Sequence, residues 1–159
     1  MRTASILTRL WDHGWLCRDF VILRGASTDN ALLDQYVASA SFQTSFLPKE
    51  LEEIGLHGPF VAKGIKADDF VLLAEVELEQ YLETIQLSES PGEDAAEHAK
   101  MLHHLKTAFE GDRRCYVLSR DERNRELFHE WGFVLFVFRE FVFAGPERDC
   151  LDRFIIGYD

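Results

Sequence analysis

The sequence predicts an α/β (α+β) domain: a mixed central sheet flanked by helices, with a short helical extension at the amino-terminal end. Three observations carry this reading. Stretches with apolar residues at helical spacing alternate with short runs rich in Val, Ile, Leu and Phe. Within residues 115–133 a strand, a helix closed by glycine and a second strand follow directly on one another. The 159 residues, 47% of them hydrophobic and 13 of them Phe, suffice for one domain over residues 19–159, with residues 1–18 as its extension.

Ile6, Leu7, Leu10 and Trp11 recur at helical spacing and predict a helix over residues 3–12, before Gly14. Residues 19–23 read as a buried strand. Ser27 and Thr28 introduce a helix over 29–39 that turns Leu32, Leu33, Tyr36 and Val37 inward. Pro48 suits the first turn of a short helix running through Ile54, and Gly55, Gly58 and Pro59 punctuate its end. From Phe60 the period becomes two. Residues 60–62, a turn around 66–69, then 70–78 and 81–87 suggest a three-stranded meander, with Val76 and Leu78 alternating with Glu75, Glu77 and Glu79. A helix over 70–87 competes with that reading, since Glu, Leu and Gln are good helix formers.

Residues 88–94 break the pattern. Residues 95–109 form the clearest helix, with Ala99, Leu102, Leu105, Ala108 and Phe109 on one face and Gly111 as its stop. Tyr116, Val117 and Leu118 read as strand. Ser119 or Asp121 then caps a helix whose stripe is Leu127, Phe128 and Trp131 and which Gly132 ends. Residues 133–143 form a long strand, apolar on both faces at first and therefore covered on both sides or paired in a homodimer. Residues 146–149 connect it to a last strand over 153–158.

The net charge of −11 excludes nucleic acid as an expected partner, because that affinity rests on clustered Lys and Arg, and it favours cationic partners. Cys17, Cys115 and Cys150 are an odd number without metal-type spacing, as expected of reduced thiols in a cytoplasmic protein. His98, His103 and His104 lack the i, i+4 pairing of a helical metal site. The first fifteen residues lack the continuous apolar core of a signal peptide, and the longest apolar run, residues 133–138, falls far short of the ~20 residues a membrane helix needs. No membrane partner is expected.

Residues 115–133 resemble the closing part of the GNAT superfamily of N-acyltransferases, through Asp121, Leu127, Phe128, Gly132 and Phe133. Residues 21–33 look like that family's opening strand, turn and first helix. The resemblance implies a GNAT-like sheet in which parallel strands 81–87 and 114–119 diverge over the cofactor. It implies N-acetyltransferase activity, moving an acetyl group from acetyl-CoA (coenzyme A) to a small cationic amine or a protein amine. The pantetheine arm would pass between those strands and the pyrophosphate would sit on the amino end of the 95–109 helix. Leu87, Ser88, Ser90, Gly92, Ala95 and Ala96 are then cofactor-binding candidates, joined by Asp121 and Phe128 of the closing helix. Glu83 is the candidate base, and His129 or Tyr116 a candidate acid in place of the family's Tyr, which Phe128 replaces without a hydroxyl.

The family's Arg/Gln-x-x-Gly-x-Gly/Ala pattern is absent from residues 87–96, where Glu93 and Asp94 stand instead of basic or neutral residues. These departures support a second expectation, a catalytically inactive GNAT-fold module acting in protein binding. A third, carried by charge alone, is an acidic protein that mimics phosphate.

Overall fold

The computed structural model describes residues 2–11, 14–42, 55–84, 91–119, 126–129 and 137–158. At its centre lie strands β1 (Arg2–Trp11), β2 (Gly14–Ile22), β5 (Phe70–Leu73), β6 (Arg114–Leu118), β7 (Val137–Ala144) and β8 (Cys150–Tyr158). They form one sheet in the order β1-β2-β8-β7-β6-β5, with every neighbouring pair antiparallel. The α+β class therefore stands, and the mixed sheet is corrected to an antiparallel one.

Each face of the sheet carries its own layer. On one side α1 (Asp29–Val37) and the small hairpin β3 (Leu56–His57) and β4 (Phe60–Val61) cover Cys17, Val21, Phe138, Val142 and Ile155. On the other side α2 (Glu75–Glu83) and α3 (Pro91–Ala108) bring Leu78, Leu82, Met101 and Leu105 onto Leu16, Val117, Phe141, Phe143 and Phe154. Double coverage explains why the central strand β7 is apolar on both faces. Thr28 Oγ1 accepts from the Ala31 N–H at 3.1 Å and so starts α1, which buries Leu32, Leu33 and Tyr36 as the spacing predicts. No helix among the described residues is long and apolar enough to cross a membrane.

Three expectations change. Residues 2–11 are a strand, not a helical extension: Thr3, Ile6, Thr8 and Trp11 suit a strand, and this one pairs antiparallel with β2, from Arg2↔Val21 to Trp11↔Gly14. The helical competitor holds over residues 75–83. There the Glu77 carboxylate accepts the Ala74 N–H at 2.9 Å, and Leu78 and Leu82 sit one turn apart and buried, while Val76 is 78% exposed. Tyr81 to Glu83 are thus helical, and the neighbours of β6 are β5 and β7, both antiparallel to it, so the parallel pair 81–87 and 114–119 is not formed.

The expected closing helix is also absent over residues 126–129. The Leu127 carbonyl accepts from the Val61 N–H at 2.7 Å, the His129 N–H donates to the Pro59 carbonyl at 3.2 Å, and Phe128 bridges Phe60. Burial of Leu127 and Phe128 against the Phe60 cluster, with ring centroids 5.0 Å apart for the two Phe, outweighs the helical pattern. The helix expected over 48–54, and residues 131–136, lie outside the described residues.

Candidate functional site

Three groups of polar or exposed residues stand out, and the first is sealed. Asp19 and Arg153 are register partners on β2 and β8, so their side chains emerge together beneath α1. Arg153 Nη2 donates to Asp19, and Nη1 donates to the Ser41 carbonyl at 2.7 Å and to the Tyr36 hydroxyl at 3.2 Å. That hydroxyl donates to Glu140 of β7, whose second oxygen meets His57 Nε2. Asp19, Tyr36, His57, Glu140 and Arg153 have no solvent exposure.

Burial alone would raise the Glu140 carboxyl, but the charge and hydrogen bond of His57, with Arg153 and Tyr36, leave it below its ordinary range. Burial would lower Arg153, yet Tyr36, Glu140 and Asp19 hold it above its ordinary value, while burial and the Glu140 charge push the Tyr36 phenol far up. A substrate cannot reach this chain of groups. The sequence signal for it was charge inside strands that are otherwise apolar on both faces, at Glu140 and Arg153.

The second group gathers on Asp29, in the first turn of α1. Its carboxylate accepts from the Tyr116 hydroxyl at 2.5 Å and from Arg148 Nε at 2.7 Å, and it lies 2.5 Å from Arg114 Nε. Burial raises the Asp29 carboxyl, and those hydrogen bonds and charges outweigh it, leaving it below its ordinary range. Burial and Asp29 together push the Tyr116 phenol up to about 12. A phenol so held is a poor proton donor near neutrality, and its geometric role is to tie β6 to α1. Arg148 adopts a positive φ of 51° in the turn that delivers it.

The remaining sequence candidates are dispersed. Glu83 ends α2, exposed, on the sheet face opposite to the Tyr116 side chain. Gly92 lies in the first turn of α3, and Ala95 and Ala96 follow it, exposed. Phe128 packs on Phe60 across the sheet from α3. Leu87, Ser88, Ser90 and Asp121 lie outside the described residues.

The third group is open. Strand β5 is an edge of the sheet, and Val71 and Leu72 are 53% and 58% exposed. The Ser119 N–H donates to the Asp69 carbonyl at 2.8 Å, so by antiparallel alternation Val71 and Leu73 face β6 while the N–H and C=O of Leu72 point away from the sheet. Two clefts flank this edge. One, of about 420 Å³, runs between Leu72, Glu75 and Glu77 and the pair Arg113 and Arg114. The other, of about 520 Å³, lies among Val71, Glu77, Tyr81 and Val117. Arg113 and Arg114 are already paired with Asp152 and Asp29, at 3.1 and 2.5 Å. Sequence reading missed this surface because it ran the strand on through Leu78, and a longer strand hides the place where α2 turns away.

No group of three or more potential metal ligands is found among the described residues. No protein-family model matches the chain, and neither the curated proteins nor the solved structures contain a significant match to it.

Proposed function

We propose that this chain is a catalytically inactive protein-binding module that receives an extended segment of a partner as an additional strand along β5. The observation that carries the reading is the short, unbulged edge β5, with Val71 and Leu72 exposed and the backbone groups of Leu72 directed outward. The partner's chemistry follows from charge. Helix α2 sets Glu75, Glu77 and Glu83, all exposed, beside that edge on a chain of net charge −11, so the segment alternates apolar with Lys or Arg side chains.

Fluorescence anisotropy with a labelled ten-residue peptide of alternating valine and lysine tests the reading. Binding should weaken at least tenfold with Leu72→Pro, which removes an outward N–H and spares the ladder to β6. Equal affinity for an alternating valine and glutamate peptide, or no binding at millimolar peptide, overturns it. The alternative proposal, acetyl transfer from acetyl-CoA to an amine, rests on the sequence resemblance of residues 21–33 and 115–133. Calorimetric titration with acetyl-CoA separates the two: micromolar binding favours transfer, and the absence of heat at millimolar cofactor favours the binding module.

A further inference from the structure

Strand β7 carries two adjacent charges, and strand alternation sends them to opposite faces of the sheet. Glu140 turns toward α1 and meets Tyr36 and His57. Arg139 turns the other way, to the face that Phe141 shares with α2 and α3. There its Nη1 donates to the carbonyl of the preceding residue, Phe138, at 3.0 Å, while its Nε is shut off from solvent and has no hydrogen-bond partner. Burial draws the Arg139 guanidinium below its ordinary value, and the group that works against burial is the Tyr81 phenol, not a carboxylate. Arg153 differs, since Tyr36, Glu140 and Asp19 there outweigh burial. A guanidinium does not shed its proton, so a largely buried one without an acid needs an anion from elsewhere.

The cleft of about 520 Å³ beside α2 gives that anion a place. Leu73, Val117, Tyr81 and Ser119 are among its walls. Val117 is the register partner of Phe141, and two residues further along this antiparallel pair Ser119 and Arg139 follow on the same face. The Tyr81 ring meets that of Phe141 edge-on at 5.7 Å, which brings α2 over the same corner. Glu77, which also borders the cleft, stands one helical turn before Tyr81 and so away from that corner.

We propose that this cleft binds a small organic monocarboxylate, Arg139 pairing the carboxylate while the apolar body lies on Tyr81, Leu73 and Val117. With Nη1 engaged by Phe138, the edge formed by Nε and Nη2 presents two parallel donors that match the two carboxylate oxygens. The ligand class follows from charge and lining. One guanidinium on a chain of net charge −11 balances one negative charge and disfavours a phosphate dianion, and the apolar walls suit a hydrocarbon or aryl body. The site uses none of the outward backbone of Leu72, so it stands or falls separately from strand addition along β5.

Calorimetric titration of the full chain with 4-phenylbutyrate, 4-phenylbutanol and inorganic phosphate tests the site. The acid should bind saturably and at least tenfold more tightly than the alcohol or phosphate. Arg139→Gln should weaken the acid at least tenfold, and Arg139→Lys, which keeps the charge without the fork, should lie between the two and serves alone if the first variant does not fold. Equal binding of acid and alcohol, equal binding of phosphate, wild-type affinity in both variants, or no saturation at millimolar acid overturns the proposal. Urea unfolding gives a second reading. A midpoint for Arg139→Gln close to the wild type supports an arginine without an internal acid, and a fall as large as that of Arg153→Met overturns it.

Discussion

Replacing Arg153 by Met tests the sealed chain of polar groups most directly. Methionine follows the arginine stem but removes the guanidinium that bonds Asp19, the Ser41 carbonyl at 2.7 Å and the Tyr36 hydroxyl at 3.2 Å. Asp19, without solvent exposure, then loses that charged partner, and the equally buried Glu140 loses a neighbouring positive charge. Breaking a buried ion pair from one side costs about 3–5 kcal/mol. In a chain of 159 residues each kcal/mol lowers the melting temperature by roughly 2–4 °C, so the expected drop is about 6–20 °C.

Arg18→Met is the control. The Arg18 side chain is 29% exposed, it pairs with Asp152 at 2.5 Å, and Asp152 keeps Arg113 at 3.1 Å after the change. Because Arg18 is partly exposed and Asp152 keeps a second cation, this change should cost clearly less than removing Arg153. Differential scanning calorimetry and urea unfolding measure both variants. The double variant Asp19→Leu, Arg153→Met should recover part of the loss, because it buries neither charge. Equal melting temperatures for the Arg153 and Arg18 variants would refute the assignment of Arg153 to a closed, buried ion-paired site.

Two further outcomes are expected. Gly58 has φ +50°, and a Cβ there would lie 2.3 Å from the Phe138 ring, so Gly58→Ala should cost about 1–3 kcal/mol in urea unfolding, while Gly25→Ala, with open space around it, should show only the strain of its positive φ. A tyrosine titrating near 12, followed by absorbance at 295 nm, should vanish in Tyr116→Phe. Because that phenol is raised above its unfolded value near 10, its contribution to stability is complete below pH ~10 and is lost as pH climbs toward 12, so the alkaline limb of wild-type unfolding should be the steeper.

What was legible in the sequence was local. Helix α1 announced itself through Thr28 and the spacing of Leu32, Leu33 and Tyr36, and α3 through its long amphipathic pattern with Gly111 beyond its end. Strands β6, β7 and β8 were legible because residues buried on both faces make continuous apolar runs. Pairing was not legible. Whether Leu127 and Phe128 form a helix stripe or lie flat on Phe60 depends on a hairpin nearly seventy residues away in the chain, and no local pattern encodes that. The same holds for residues 75–83, where glutamates that alternate like the wet face of a strand also cap and solvate a helix. The buried chain was least visible, because its five members come from β2, α1, β3, β7 and β8 and meet only when the sheet closes.

The sheet has two edges, and they are not equivalent as landing places. Strand β1 is ten residues long, but its pairing shifts register between Arg2 and Ser5 and again between Arg9 and Trp11, and such irregularities turn an edge away from further pairing. Strand β5 runs in unbroken register over its four residues. Four residues offer few outward backbone groups, since the Phe70 N–H already returns to the Ala67 carbonyl. At about 0.5–1.5 kcal/mol per net hydrogen bond, those groups fall short of the cost of association. Affinity for the proposed partner strand therefore has to come from its side chains: apolar ones on the sheet face of Leu72, and cationic ones on the α2 face toward Glu75 and Glu77. Glu77 borders both clefts, which makes it the point where the charge requirement and the apolar requirement of the partner meet.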